Sequence, residues 1–267
     1  MRNRIIPSIG FALALTAMLP LAGQGLVTPV VSVVKGEKNF KSGYDPINVD
    51  GTVTAIIEIP AGTTAKYETL DNGTMELEQK DGAPRFVKYL PYPANYGLIP
   101  RSVLLKSKGG DGDPLDVIVL GPALPTGSVV KCRMIGVLTL VDNGEIDDKI
   151  ILAPVGSVFG SLKGIEDLDK KFPGVTSIIQ PWWTSYKGYG KDGKLQLSSK
   201  GFKSRAAAIK TVGDAILDYE NSVTTDADRR PLDEKGNPRL YRWPGAKNLG
   251  EQTTGMNHWG GGIWPPP

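Results

Sequence analysis

The stretch "DGDPLD" sets Asp111, Asp113 and Asp116 within six residues, directly ahead of the apolar run "VIVLG". Three like charges so close repel one another. The segment is therefore either a solvated acidic turn or a place where cations gather. It resembles a calcium loop only superficially, because the glycine is misplaced and the bidentate Glu of an EF-hand is absent. Nor does it suit a phosphoaspartyl enzyme, since Pro114 and Leu115 stand where a hydroxyl residue is wanted. A second acidic cluster, in "LTLVDNGEIDDKI", puts Asp142 at the end of one expected strand and Asp147 and Asp148 ahead of the next. That segment also reads as a plain polar hairpin. Two Asp-rich turns at strand ends of one small barrel can nevertheless converge on one mouth. Asp111, Asp113, Asp116, Asp142 and Asp147 would then offer oxygen only, without a His or Cys set. Such donors suit the hard ions Mg²⁺ or Mn²⁺ rather than structural zinc.

Cations and phenols punctuate the same strands: Lys66, Arg85, Tyr96, Lys149, Tyr186 and Lys187. Each alone reads as a surface residue. Beside a multi-metal acidic cluster they point to a highly charged anion, phosphate above all, which Arg holds bidentately and Lys as a point charge.

These side chains need elements to position them. From Gly51 the pattern is strand: "TVTAIIEIP", "AKYETL", "RFVKYL", "DVIVLG", "SVVKCRMIGVLTLVD" and "KIILAPV", each bounded by Gly, Pro, Asp or Asn. Five or six short strands in about 100 residues suit a small closed barrel. After Gly156 the period changes. "GIEDLDKKFPG" reads as a short helix halted by Pro173 and Gly174. "SIIQPWWTSYKGYG" reads as a second, with Pro181 in its first turn or at a kink. In "KSRAAAIKTVGDAILDYENS", Ile209, Val212, Ile216 and Tyr219 form one apolar face behind Ser204 as N-cap. The expectation is an α+β chain, mainly β: a five-stranded OB-like closed barrel with two or three C-terminal helices.

The 267 residues are enough for one good core or two small ones. A formal charge of +3 gives no bulk attraction to nucleic acid. Residues 1–25 read as a signal peptide: Arg2 and Arg4, then a mostly apolar run from Ile9 to Ala22 ending in small residues. The run is short for a membrane span, which needs about 20 apolar residues. The expected location is therefore exported, periplasmic or secreted, with no stable span after cleavage. An uncleaved membrane anchor and an organelle transit segment are the alternatives. Residues 26–50 read as a loop-like lead-in, 51–223 as the main folded domain, and 224–267 as an irregular extension holding Trp243, Trp259, Trp264 and the single histidine, His258. The single cysteine, Cys132, has no partner for an internal disulfide and sits in an apolar strand pattern, so it reads as a small buried hydrophobe.

From about Val53 to Tyr219 the chain resembles the soluble family I inorganic pyrophosphatases. "IIEIPAGTTAKYE" is similar to the family's opening strands, "NYGLIP" to its Asn-Tyr-Gly turn, and "DGDPLDV" to its signature. "DNGEIDDK", "KKFPG" and "SYKGY" follow in the expected order. The resemblance implies that Asp111, Asp116, Asp142 and Asp147 bind divalent metals, with Asp113 also beside the nucleophilic water. It implies that Lys66, Arg85, Tyr186 and Lys187 hold phosphate, and that Tyr96 and Lys149 line the pocket. Glu58 and Glu68 would complete an outer polar shell. Asn143 stands where an acid often follows the first Asp, and Asp148 has no family role and reads as a surface residue. The implied reaction is hydrolysis of pyrophosphate to two orthophosphates with several Mg²⁺ ions, Mn²⁺ being possible, in a homo-oligomer. A non-enzymatic OB-like binding module and a relative with a decayed site are the competing readings.

Overall fold

The computed structural model describes residues 33–223. The expected signal peptide, the C-terminal extension and His258 lie outside them. The order is β1 (Val33–Val34), β2 (Val53–Ile59), β3 (Tyr67–Thr69), β4 (Met75–Leu77), β5 (Gln79–Lys80), β6 (Ala83–Pro84) and β7 (Asn95–Leu98). Next come β8 (Asp116–Val119), β9 (Val129–Asp142), β10 (Glu145–Ile146) and β11 (Lys149–Pro154). The chain then forms α1 (Ile165–Lys171), α2 (Val175–Ser185), β12 (Leu197–Lys203) and α3 (Arg205–Val223). The architecture is α+β, mostly β, with three helices among the described residues.

The long strand β9 organises the sheet. On one side it pairs with β11; on the other it pairs first with β2 and then with β12. Following the pairings outward, β11 joins β8, β8 joins β7, β7 joins β2, and β2 returns to β9. Only the β8–β11 contact in this circuit is parallel. Successive residues of a strand point to opposite faces. Val117, Val119, Ile150 and Leu152 accordingly join a core capped by Val212 and Ile216 of α3. Ile118 and Ile151 join a second core capped by Leu168 of α1 and Trp183 of α2. Both faces are buried, which is why these strands read as unbroken apolar runs rather than alternating ones.

Several expectations are corrected. "RFVKYL" is no strand: it makes one bridge, Ala65 with Phe86, and Phe86, Tyr89 and Leu90 stay exposed. With no partner strand for the backbone, β-propensity alone does not hold it extended. Conversely, "NYGL" is a strand and not a turn, and "LSSKGFK" adds β12 where only helices were expected. Pro181 is interior to α2, the seventh of its 11 residues. The missing N–H is tolerated because Trp182 and Trp183, next in sequence, anchor that turn in the core. Ser204 does cap α3, its Oγ accepting the Ala207 N–H at 3.3 Å. The buried face of α3 is centred on Ala208, Val212, Ala215 and Ile216, with Ile209 and Tyr219 only half-buried at its edges. The lead-in is not merely a loop: Phe40 packs with Ile56, Met75 and Leu98 in a third core.

Gly97 shows why the Asn-Tyr-Gly triplet has its composition. Asn95 is fully buried; its Oδ1 accepts the N–H groups of Ala61 and Leu124, and its Nδ2 donates to Val119 and Pro122 carbonyls. Two residues on, a Cβ at Gly97 would stand 1.8 Å from the Ile56 carbonyl oxygen. No side chain fits where β7 crosses so close to β2. Gly97→Ala is expected to destabilise the fold by more than about 3 kcal/mol through backbone overpacking. A urea midpoint within experimental error of the wild type would contradict this.

Candidate metal and phosphate site

The turn before β8 is clamped at both ends. The Leu104 N–H donates to the Asp113 carbonyl at 2.9 Å, the Gly112 N–H to the Leu104 carbonyl at 2.8 Å, and the Leu115 N–H to Ser102 Oγ at 2.9 Å. Leu115, fully buried, pins the turn to the core. Asp111, Asp113 and Asp116 are thereby directed into one cavity of about 230 Å³. The β9–β10 hairpin turns at Asn143 and Gly144 and brings Asp142 and Asp147 to the same cavity. The parallel register of β8 and β11 sets Lys149 directly beside Asp116. In β2 the register slips between Ile57 and Ile59, leaving Glu58 without a partner on β7. A bulge of this kind re-aims a side chain, and Glu58 also lines the cavity. Lys66, Glu68, Arg85, Tyr96, Tyr186 and Lys187 complete the wall, so all thirteen residues singled out in the sequence meet in one place. Asp148 does not. It is half-buried rather than a free surface residue, and its Oδ1 accepts the Leu140 N–H at 3.2 Å.

The lysines are spoken for. Lys149, 3% exposed, pairs with Asp116 and, at 2.5 Å, with Asp147. Lys187 pairs with Asp142, and Lys66 with Glu68 and, at 2.9 Å, with Glu78. The Arg85 guanidinium bonds both Glu78 carboxylate oxygens, at 2.7 and 2.8 Å. Three of the cavity acids are different: among the described residues Glu58, Asp111 and Asp113 make no ion pair; Glu58 accepts the Thr69 N–H and Asp111 the Asp113 N–H, while the Asp113 carboxylate accepts no hydrogen bond from the cavity's cations. Glu78 was not anticipated. The alternation in "MELE", with Met75 and Leu77 buried, could have flagged Glu76 and Glu78 as a polar face. Tyr92 was also missed. It is buried, with its ring 5.6 Å from Tyr96 and 4.8 Å from Trp182. Trp182 in turn stacks on Tyr186 at 4.8 Å and 3°. This aromatic wall fixes both cavity phenols from behind.

Burial and mutual repulsion bias the titrations. Burial pushes Glu58 up to about 7, and the neighbouring Asp116 charge adds to it. Burial likewise raises Asp111, Asp113 and Asp147, each further raised by Asp116. For Lys149 burial favours loss of the proton, but Asp116 and Asp147 outweigh it and hold the ammonium above its usual range. Tyr96 and Tyr186, both pushed up by burial, remain neutral hydrogen-bond donors.

Seven carboxylates line the cavity against four cations. A polyanion entering such a cavity would be repelled unless further positive charge came with it. The donor chemistry, carboxylate oxygen throughout, fits hard divalent ions. Among the described residues no three acids are drawn together tightly enough to cage one ion.

Residues 55–220 match the family model described as inorganic pyrophosphatase. A Helicobacter pylori protein named inorganic pyrophosphatase is 31% identical over 174 residues, covering 63% of this chain and 92% of its own length. One from Xylella fastidiosa is 31% identical over 179 residues, covering 66% and 94%. Among solved structures, the type I inorganic pyrophosphatase of Toxoplasma gondii superposes with a TM-score of 0.61 at 28% identity, covering 69% of this chain and 85% of that one. A truncated vacuolar soluble pyrophosphatase of Trypanosoma cruzi, solved in complex with PPi, gives 0.60 at 26%, covering 72% and 77%. With residues 55–220 matched in order, and its acids and cations gathered in one cavity, the chain belongs to the inorganic pyrophosphatase family.

Proposed function

We propose that this protein hydrolyses inorganic pyrophosphate to two orthophosphates. The observation that carries the reading is the single cavity in which five Asp side chains face Lys66, Arg85, Tyr186 and Lys187. Asp111, Asp116, Asp142 and Asp147, with Asp113, would hold divalent cations, Mg²⁺ first and Mn²⁺ second. Such ions supply an acidified water and neutralise charge on the phosphates. Asp113, whose carboxylate no lysine occupies, accepts the proton of the attacking water. Lys66, Arg85, Tyr186 and Lys187 bind and orient the phosphate oxygens in a preorganised field. Glu78 holds Lys66 and Arg85 in place, and Lys149 bridges Asp116 and Asp147. Tyr96 supplies a neutral hydroxyl, while Glu58 and Glu68 form the outer polar wall. Phosphate release from pyrophosphate, measured with and without Mg²⁺, tests the whole; no release in Mg²⁺ would sink it.

Lys187→Ala removes one charged contact to substrate and frees Asp142. A charge-assisted hydrogen bond is worth about 1.5–3 kcal/mol, so KM should rise roughly tenfold or more. An unchanged KM would remove Lys187 from the phosphate set. The strand circuit through β9, β11, β8, β7 and β2 supports a small closed OB-like barrel as the scaffold. The composition of residues 1–25 supports export as part of the same proposal, and family membership supports a homo-oligomer. Among the described residues no helix is long and apolar enough to cross a membrane. N-terminal sequencing of secreted material and light scattering of the purified chain test the two points.

A further inference from the structure

One side of the acidic cavity is walled by Thr69 at the end of β3, Leu98 at the end of β7, and the turn through Asp113 and Pro114. A stretch of the lead-in, residues 39–45, is packed against the elements that carry this wall. It stands ahead of residues 55–220, which carry the family match. Its backbone is pinned from two sides. Asn39 Oδ1 accepts the N–H groups of Lys41 and Ser42, at 2.9 and 3.0 Å, and Asn39 Nδ2 donates to the Asn72 carbonyl in the β3–β4 loop. The Phe40 N–H donates to the Gly73 carbonyl of the same loop at 3.1 Å, and the Phe40 ring shares a core with Leu98. From the other side the Arg101 N–H donates to the Lys41 carbonyl at 2.7 Å, and the Arg101 guanidinium bonds Asp45 at 3.1 Å. Three residues beyond Arg101, the Leu104 N–H holds the Asp113 carbonyl.

Lys41 is thus fixed at its backbone, and its ammonium meets Asp71 at 2.9 Å. The two partners are unequal. The Lys41 side chain is 19% exposed and that of Asp71 95%. A carboxylate so well solvated holds a cation weakly, because water screens the attraction. Lys41 is also the cation that acts most strongly on Asp113, with Glu68 and Asp71 acting on the same carboxylate. The four cations that line the cavity pair with other acids. Lys41 therefore brings positive charge to the one end of the cavity whose acid those four leave unpaired.

We propose that Lys41 is a further substrate-binding residue, an ammonium that turns from Asp71 to a phosphate oxygen at the Asp113 end when pyrophosphate enters. The proposal rests on the pyrophosphatase reading above. The exchange is a side-chain rotation, since the hydrogen bonds that hold Lys41 in place use only its backbone. A phosphate group carries more charge than one solvated carboxylate and presents several acceptor oxygens, so the ammonium gains by the exchange. The lead-in is then part of the binding site, carried there by the Phe40 core and the Asn39 turn.

The test uses the full chain in Mg²⁺ and measures KM and kcat for pyrophosphate, with inhibition by orthophosphate as a second readout. Lys41→Ala should raise KM about fivefold and weaken orthophosphate inhibition by a similar factor, the worth of one partly exposed charge contact. Lys41→Arg, which keeps the charge, should return KM to within about twofold of the wild type. Asp71→Asn breaks the same ion pair but keeps the ammonium, so KM should stay at or below the wild-type value. A rise matching that of Lys41→Ala would make the pair a structural tie and overturn the proposal. Lys38, set over the Tyr44 ring in the same lead-in, is the charge control, and Lys38→Ala should leave KM unchanged. An equal rise there overturns the proposal, because the lysines then act only through the general field. A loss confined to kcat also overturns it, since Lys41 would then act on the acids and not on the substrate. If the wild type hydrolyses pyrophosphate and Lys41→Ala changes neither KM nor orthophosphate inhibition, the proposal falls and the pyrophosphatase reading stands. Absence of hydrolysis in the wild type overturns both.

Discussion

Asp113→Asn is expected to lower kcat for pyrophosphate about 10²- to 10⁴-fold, the usual worth of a positioned general base, with little change in melting temperature. The reasoning starts from what holds each acid. Asp116 and Asp147 are tied to Lys149, and Asp142 to Lys187. Asp111 Oδ1 accepts the Asp113 backbone N–H at 2.9 Å, a bond that survives the substitution because it uses the main chain. The Asp113 carboxylate has no such duty, and burial raises its proton affinity. An amide of the same shape keeps the turn and loses the ability to take a proton. Phosphate-release assays at saturating pyrophosphate, paired with thermal melts, check both halves. A variant that keeps more than a tenth of wild-type kcat would transfer the base to another group.

Lys149→Met should cost the fold about 3–5 kcal/mol, the range found when one partner of a buried charge pair is removed. The methionine has similar volume, so the loss is electrostatic rather than a cavity. Asp116 and Asp147, about 21% and 13% exposed in their side chains, would be left facing each other without an ammonium. Two observations separate this cause from poor packing. Asp147→Asn in the same background should recover part of the loss, as a coupled pair does in a double-mutant cycle. Added Mg²⁺ should narrow the gap to wild type, since a ligand bound only by the folded state stabilises it. A change in urea-unfolding free energy below about 1 kcal/mol would show that the pair contributes no more than a surface ion pair.

Local features were the most legible. The acid spacing in "DGDPLD", the Ser204 cap and the helical span of α3 each depend on a few neighbouring residues, so they could be read directly. The opposite errors at "RFVKYL" and "NYGL" share one cause. β-structure needs a partner strand: the first stretch has β-forming residues but only one bridge, while the second has an Asn and a Gly yet lies between β2 and β8. Of the two places open to Pro181, the first turn is excluded, because it stands seventh in α2, where anchoring by Trp182 and Trp183 offsets one lost helical hydrogen bond. Glu78 and Tyr92 contact Lys66, Arg85 and Tyr96 rather than lining the cavity; the alternation in "MELE" marks Glu78 as polar-facing but does not say which cations it meets.

By itself, then, the sequence determined the chemistry available to this protein: hard oxygen donors in two acidic turns, lysines and an arginine beside them, and a single cysteine with no internal partner. It also carried the two acidic turns, because backbone spacing sets which side chains a turn can present. Tertiary structure alone decided how those groups are shared out. The parallel β8–β11 register gives Lys149 to Asp116 and Asp147, and the β2 bulge turns Glu58 inward. Those allocations depend on strand pairing across tens of residues, where energy comes from partners distant in the chain. They leave Glu58, Asp111 and Asp113 as the cavity carboxylates without an ion pair among the described residues, and of these Asp113 is the one not taken by a backbone N–H.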